Sequence, residues 1–310
     1  MRAPALALAA LSLLGLLGCG PSVGAGDDDD DDQPGPDAGL TDDGDGGAEA
    51  AACPDVDLLF VIDDSGSMAD QQDSLIASFP GFAAAITARL GAAQSVHVGV
   101  VTTEDYAGNP AGCREIGSLI TQTAGPASSN RTCTPFASGA TWLDGRDPLL
   151  AERFSCIGKV GAGGDSDERI ARALINALAP SRNAPGGCNA GFARPDALLV
   201  VVLITDEDDV ADGCDGTGTC QTYGSGGTAA EWHQAVVAAR GGRADHVVVL
   251  SLIGRSLDNT CGATPAARLL GFTNRFAPNN LIGDVCAPAY DAFFLDALPV
   301  LDDACQRWIP

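Results

Sequence analysis

The stretch Leu58-Leu59-Phe60-Val61-Ile62-Asp63-Asp64-Ser65-Gly66-Ser67-Met68 decides the fold. Its five leading apolar residues end abruptly at two acids, and such a run, bounded by polar turn-forming residues, predicts a strand that is buried on both faces. Asp63, Ser65 and Ser67 then follow the carboxyl end of that strand. Open α/β sheets bind their ligands outside the carboxyl ends of their strands, so we expect a functional site here.

The residue spacing in this turn predicts a cation site. A spacing of two residues lets the carboxylate of Asp63 and the hydroxyls of Ser65 and Ser67 converge on one point, and oxygen ligands suit Mg²⁺ or Ca²⁺ better than zinc. The alternative is that Asp63 or Ser65 caps the helix that follows. A second apolar run, Ala197–Thr205, also ends in acid, at Asp206-Glu207-Asp208-Asp209, and this favours the cation site.

These residues resemble the metal-ion-dependent adhesion site of the von Willebrand factor type A domain. The resemblance rests on Asp63-Asp64-Ser65-Gly66-Ser67 and on Thr205-Asp206, and it extends over residues 53–310. It implies an α/β fold, with a doubly wound, mostly parallel sheet flanked by helices. It also implies a domain that binds a protein ligand through a divalent cation and is not usually an enzyme. The metal ligands that it implies are Asp63, Ser65, Ser67 and Asp206.

One loop departs from the family pattern. Counting back from Ala173-Leu174, Glu168 occupies the position at which the family has a threonine. A glutamate can still bind a hard cation directly or through water, and Ser166 is a substitute ligand in the same loop. Asp165-x-x-Glu168 is also a capping-box pattern, which would open a helix from Glu168 to Leu178. The residues alone leave both interpretations, ligand and cap, open.

The amino-terminal residues predict export and a lipid anchor. The apolar stretch within residues 1–18 is typical of a signal peptide, and Leu16-Leu17-Gly18-Cys19 resembles the bacterial lipobox, in which Cys19 is lipidated. The alternative is an ordinary leader in which this cysteine is accidental. Gly20 favours the outer membrane, on its periplasmic or external face. Residues 19–52 contain no basic or aromatic residue, so we expect a disordered acidic tether.

The cysteines predict an oxidising compartment. Ten remain beside Cys19, and an even number in an exported chain suggests five disulfides. No Cys-x-x-Cys or His-x-x-x-His spacing occurs, which disfavours zinc. Proximity along the chain, and elimination for the last pair, give the pairings Cys214–Cys220, Cys113–Cys133, Cys261–Cys286, Cys53–Cys305 and Cys156–Cys188.

Helices alternate with strands along residues 53–310, as in α/β proteins. Residues 104–160 are weakly periodic and contain several cysteines, so we expect a disulfide-rich insertion on the site side of the sheet. Pro80 should kink or split the first helix. The predicted strands are 58–62, 96–103, 197–205 and 247–253, and the predicted helices are 70–90, 168–178, 232–240 and 289–307.

Charge limits the class of partner. Of the 41 acidic residues 11 lie in the tether, so residues 53–310 contain 30 acidic against 16 basic residues. A domain that is acidic overall is unsuited to bind nucleic acid, because the phosphate backbone demands basic surfaces. We therefore expect a protein ligand, and contact with a membrane only through the lipid anchor.

The leading hypothesis is an anchored adhesion module that binds a protein through Mg²⁺ or Ca²⁺ and is not an enzyme. One alternative is a structural calcium site, formed by residues 206–209 with Asp212 and Asp215, that exposes no open coordination position. Another is a hydrolase in which the bound cation activates water. The sequence contains no nucleotide-binding loop and no Gly-x-Ser-x-Gly elbow, and its three histidines are scattered.

Overall fold

The computed structural model describes residues 55–89, 95–134, 136, 139–210, 213–214, 220–221 and 223–308, and for residues 89, 213, 214, 220 and 221 it describes only the backbone. The predicted signal peptide, Cys19 and the predicted tether lie outside these ranges. No helix within the described ranges is both long enough and apolar enough to cross a membrane.

Within the described residues, a six-stranded, mostly parallel sheet forms the centre of an α/β fold. Its spatial order is β3-β2-β1-β4-β7-β8, which is the order of a doubly wound sheet, and only β3 is antiparallel to its neighbour. A separate two-stranded sheet pairs β5 with β6. The strands are β1 (Val56–Ile62), β2 (Val96–Thr102), β3 (Leu143–Asp144), β4 (Leu198–Ile204), β5 (Gly213–Cys214), β6 (Cys220–Gln221), β7 (Val247–Ile253) and β8 (Asn280–Asp284).

Helices cover both faces of the sheet. They are α1 (Ala69–Arg89), α2 (Leu150–Ile157), α3 (Ile170–Ala177), α4 (Pro180–Asn183), α5 (Ala229–Ala238), α6 (Ala267–Thr273) and α7 (Asp291–Arg307). Short 3-10 helices follow α5 and α6, over Ala244–His246 and Asn274–Phe276. The buried side chains of α1, α2 and α7 form one core, and those of α3, α5 and α6 form a second core on the opposite face.

Alternate residues of β1 enter opposite cores, as the period of a strand requires. The ring of Phe60 lies 5.8 Å from that of Phe79 in α1 and 4.7 Å from that of Phe154 in α2, whereas Leu59 and Val61 enter the other core. Every residue of β1, β2, β4 and β7 is buried. The apolar runs of the sequence therefore form the four central strands.

Helix α1 is continuous through Pro80, so the chain does not divide there into two helices. A proline inside a helix removes one hydrogen bond and crowds the preceding turn. The apolar stripe of Leu75, Phe79 and Phe82 is buried on both sides of that position, and this packing favours a single helix over two pieces.

The segment predicted as an insertion, residues 104–160, contributes to the sheet as well as to the loops. It contains β3, which pairs with the amino-terminal part of β2, and it contains α2. Residue Ile120 also donates a backbone hydrogen bond of 2.8 Å to the carbonyl of Val100. The short edge strands β3 and β8 and the short helices α4 and α6 escaped the sequence prediction because they are too brief to show a period.

Three disulfides join described cysteines. They are Cys113–Cys188, Cys133–Cys156 and Cys261–Cys286. The third is the predicted pairing, but the predicted Cys113–Cys133 and Cys156–Cys188 bonds are wrong. Proximity along the chain misled the prediction, because the loop before residue 120 folds onto the segment after α4. Asn189 holds this contact with hydrogen bonds of 2.9 Å from Leu119 N and 2.8 Å to Gly117 O.

Two predicted pairings involve a cysteine side chain that the structure does not describe. Cys53 is one of these residues, so the Cys53–Cys305 bond stays a prediction. Of Cys214 and Cys220 only the backbone is described, and it places them directly opposite each other in the β5–β6 pair. The Cys214–Cys220 bond also stays a prediction.

A buried carboxylate near the start of β1 is paired with arginines. Asp57 accepts hydrogen bonds from the backbone N of Arg194 at 2.6 Å and from its Nε at 2.8 Å, and Nη2 of Arg240 lies 3.4 Å away. Burial raises the pKa of Asp57, and the charges of Arg240 and Arg194 oppose that rise. This cluster lies at the edge of the sheet opposite the strand ends that the sequence singles out.

Candidate functional site

Three residues lie side by side at the carboxyl edge of the sheet. The last residue of β1 is in register with the last residues of β2 and β4, so the residues that follow them, Thr103, Asp63 and Thr205, form a row. All three are buried. The chain leaves β1 toward β2 and leaves β4 toward β7, in opposite directions along the sheet, and open α/β sheets form a binding crevice at such a point.

Asp63 is fully buried and held by hydrogen bonds to both carboxylate oxygens. Oδ1 accepts from the backbone N of Ser65 at 2.7 Å, and Oδ2 accepts from Oγ1 of Thr205 at 2.7 Å. Helix α1 begins at Ala69, so neither Asp63 nor Ser65 is its N-cap. Burial and the charge of Asp206 raise the pKa of Asp63 while its hydrogen bonds lower it, and the resulting pKa is about 6.

The two predicted serines lie together at the mouth of the site. Oγ of Ser65 lies 3.3 Å from Oγ of Ser67, and Ser67 is exposed to solvent. Asp206, at the end of β4, is buried, and its Oδ1 has no hydrogen-bond partner among the described residues. Burial raises the pKa of Asp206, and a hydrogen bond from Ser67 lowers it. The structure thus brings Asp63, Ser65, Ser67 and Asp206 to one place.

Glu168 lies beside Asp63, and the capping interpretation of this residue is wrong. Helix α3 begins at Ile170 with Arg169 as its N-cap, and the Arg169 side chain makes no capping hydrogen bond. Glu168 is 1% exposed, and neither of its carboxylate oxygens has a hydrogen-bond partner in the described part of the chain. Burial, followed by the charge of Asp63, raises the pKa of Glu168 to about 10. Ser166, the substitute ligand, is exposed to solvent.

Sequence reasoning included Asp64 and Thr205 in the motif without giving them a role, and it missed Thr103 as part of the site. Asp64 is 3% exposed, and its Oδ1 accepts one long hydrogen bond of 3.4 Å from Oγ1 of Thr103. Burial, together with the charges of Glu104 and Asp63, raises the pKa of Asp64 to about 8. The available signal was positional, because both threonines are the last residues of predicted strands.

Gln72 of α1 fixes the loop before α3 against the turn after β1. Its Nε2 donates to the carbonyls of Asp63 at 3.0 Å and Gly161 at 2.6 Å, and its Oε1 accepts from Gly161 N at 2.9 Å. Gly164 N also donates to the carbonyl of Asp64 at 2.7 Å. A Cβ at position 164 would lie 2.8 Å from that carbonyl oxygen, so the close approach requires glycine here.

Two further acids after β4 serve the fold. Asp208 accepts hydrogen bonds from the backbone N of Arg268 at 2.9 Å and of Leu269 at 3.1 Å, at the start of α6. Asp209 is fully buried and accepts from Ala171 N at 2.8 Å and from Ser225 N at 2.7 Å. Because backbone donors already occupy these carboxylates, they are poor candidates for the predicted structural calcium site. Asp212 and Asp215 lie outside the described residues.

The carboxylates of the site are not neutralised by the protein. Among the described residues, no ion pair joins a Lys, Arg or His side chain to Asp63, Asp64, Glu168 or Asp206. Buried charges normally have a partner or bind a metal. An external cation would therefore satisfy both the unpartnered oxygens and the charge.

The donor set suits a hydrated hard cation better than a cage of carboxylates. No three His, Cys, Asp or Glu residues within the described ranges are grouped closely enough to hold a metal by themselves. The serine hydroxyls and water would have to complete the shell. Mg²⁺ keeps several of its waters when it binds to proteins, so an arrangement of few carboxylates and several hydroxyls fits it.

Comparisons with known proteins add little to this geometry. No family model matches the sequence, and no curated protein matches it. Among solved structures, proximal thread matrix protein 1 from the mussel byssus is 13% identical with a TM-score of 0.40, over 81% of this chain and 49% of that one. The pilus adhesin SpaC from Lactobacillus rhamnosus GG is 12% identical with a TM-score of 0.44, over 82% of this chain and 30% of that one. Such scores support no argument about function.

Proposed function

We propose that this chain is an exported binding module of the von Willebrand factor type A kind, which captures a protein ligand through a divalent cation. The observation that supports it best is the group of buried carboxylates without a basic partner at the carboxyl edge of the sheet. The hydroxyl of the buried Ser65 lies 3.3 Å from that of Ser67, which is exposed to solvent. A cation there would be reachable by a ligand.

The proposed ligands divide into two sets. Ser65 and Ser67, with Asp63, would hold the cation at the mouth of the site. Asp206 and Glu168 would complete its shell, in part through water, and their unpartnered oxygens support this role. The cation, Mg²⁺ or Ca²⁺, would supply an open coordination position that accepts a carboxylate of the protein ligand. Ser166 has the weaker support, since it is exposed.

Export and membrane anchoring belong to the same proposal. The three disulfides among the described cysteines support an oxidising compartment, because such bonds are rare in the cytosol. The lipobox-like Cys19 would place the module on the outer membrane at the end of an acidic tether. Binding without catalysis remains our proposal for its activity.

Thermal unfolding of the full chain with and without Mg²⁺ or Ca²⁺ tests the site. At 100 times its dissociation constant a cation stabilises the native state by about 2.7 kcal/mol, which corresponds to roughly 5 to 10 °C in Tm for a domain of this size. We expect Asp63→Asn to abolish the shift and the control Asp258→Asn, at an exposed position, to retain it. No shift, or an equal shift in both variants, would refute the proposal.

A further inference from the structure

A cavity of about 270 Å³ adjoins the candidate site on the side of Asp64. Asp64 and Glu104 are among its lining residues, and so are Tyr106, Pro126 and Val160, which bring apolar side chains. Pockets for drug-sized ligands start at about 300 Å³, so this cavity matches one long side chain or one small organic molecule.

The polar groups that face this cavity are acidic. None of its lining residues is Lys, Arg or His. The hydroxyl of Tyr106 is already used, because it donates to Val160 O at 2.6 Å and accepts from Ala124 N at 3.2 Å. Asp64 is nine-tenths buried or more and has only the 3.4 Å hydrogen bond from Thr103. Glu104 is half-buried and accepts one hydrogen bond of 3.0 Å, from Asp165 N.

We propose that this cavity receives a lysine or arginine side chain of the protein ligand, next to the carboxylate that the same ligand supplies to the cation. The inference rests on the proposed function and specifies its ligand as a segment with an acidic and a basic residue close together. The alkyl stem would lie along Pro126 and Val160, and its charged end would meet Asp64 and Glu104. Such charge-assisted hydrogen bonds are stronger than neutral ones.

A second metal ion fits this cavity less well. A hard cation needs six or more oxygen ligands at short range. The lining contains two acidic residues, Asp64 and Glu104, among largely apolar side chains and glycines. An amphipathic cation can contact both the acidic and the apolar lining residues, whereas a bare ion interacts favourably only with the acidic ones.

The first experiment uses small probes with the full chain in saturating Mg²⁺. Agmatine, which contains the guanidinium group of arginine, is titrated while the amide resonances of Gly163 and Gly164 are followed, and n-butanol serves as the neutral probe. We expect agmatine alone to shift these resonances. Glu104→Gln should weaken its affinity about tenfold, which is the loss of one charge-assisted hydrogen bond. Glu152→Gln is the matched control, because this exposed carboxylate lies at a separate cavity that already contains Arg131 and Arg153.

The second experiment separates a ligand side chain from a free amine. Acetylated peptides with Asp and Arg separated by zero to three glycines are compared with the same peptides that contain citrulline in place of arginine. At least one arginine peptide should bind in Mg²⁺ about tenfold more tightly than its citrulline counterpart, and Glu104→Gln should remove that difference. Equal binding of both peptide series, or agmatine binding unaffected by Glu104→Gln, would overturn the inference. Absence of any Mg²⁺ effect on stability would instead refute the proposed function.

Discussion

The first strand has a buried carboxylate near its start and another just past its end, and the protein treats them in opposite ways. Asp57 contacts Arg194 and lies near Arg240, so the chain itself supplies the counter-charge. Asp63 has only hydroxyl and amide donors, and its charged neighbours are further acids. Burial penalises both carboxylates. One edge of the sheet therefore contains the counter-charge of its carboxylate, whereas the described residues supply none at the other edge, where we propose that a cation from solution does so.

The largest effect on the free energy of unfolding should come from removing the carboxylate of Asp57, at the edge where arginines supply the counter-charge. Asp57→Asn leaves the buried Arg240 without its carboxylate, whereas Arg194 keeps its ion pair with Asp55. Removal of one partner of a buried ion pair typically costs about 3 to 5 kcal/mol. Chemical denaturation should show this loss with and without Mg²⁺. Asp55→Asn is the control, because its ion pair with Arg194 is partly exposed and should be worth about 1 kcal/mol or less. A loss that Mg²⁺ reverses would contradict the comparison.

At the other edge the removal of a carboxylate should raise the free energy of unfolding of the cation-free protein. The pKa of Glu168 is raised to about 10, so the folded protein disfavours its ionised form. Glu168→Gln removes that cost, and we expect the cation-free protein to gain on the order of 3 kcal/mol in unfolding free energy at pH 8. The same variant should lose part of the stabilisation by Mg²⁺. Denaturation in EDTA and in Mg²⁺ measures both effects, and a destabilised cation-free variant would count against the site.

The pH dependence of stability should also differ with the cation. The folded pKa values of Asp63, about 6, and Asp64, about 8, lie above the usual range of a carboxyl group. Between that usual range and each raised value, the folded state binds more protons than the unfolded state. The unfolding free energy in EDTA should therefore fall as pH rises from 5 to 8, by on the order of 2 kcal/mol. Saturating Mg²⁺ should flatten this slope. An equal slope under both conditions would show that the carboxylates and the cation do not interact.

The smallest effect should come from Ser166. Because this side chain is exposed, Ser166→Ala should change the affinity for Mg²⁺ and the unfolding free energy by no more than about 0.5 kcal/mol. Titration calorimetry beside Glu168→Gln decides between the two residues of this loop. A large loss of affinity for Mg²⁺ in Ser166→Ala would indicate that Ser166, and not Glu168, is the ligand from this loop.

The sequence predicted the parts of the fold that depend on long apolar runs. The central strands are buried on both faces, which makes their composition distinctive, and their register then brings Asp63 and Thr205 together. The two-residue strand β3 has no such signature. Disulfide partners depend on how loops cross in space, so Cys113 met Cys188 rather than its neighbour in the sequence.

The chemistry of individual side chains was predictable only where the local pattern was unambiguous. Glu168 fits a ligand and a helix cap equally well in the sequence, and only the start of α3 at Ile170 decides against the cap. Asp64 received no role because the predicted ligands occupy alternate positions, 63, 65 and 67. The cavity that Asp64 lines is otherwise formed by three distant segments of the chain. No periodic pattern in the sequence predicts that these segments come together.

The bridge made by Gln72 has a kinetic consequence. Because its amide holds both the turn after β1 and the loop at Gly161, we expect these two loops to stay together when no cation is bound. If a cation binds as proposed, binding rather than rearrangement should relieve the repulsion between their acids. Entry of a cation should accordingly be limited by the departure of water from the ion, with an association rate that Gln72→Ala would make slower and dependent on loop closure.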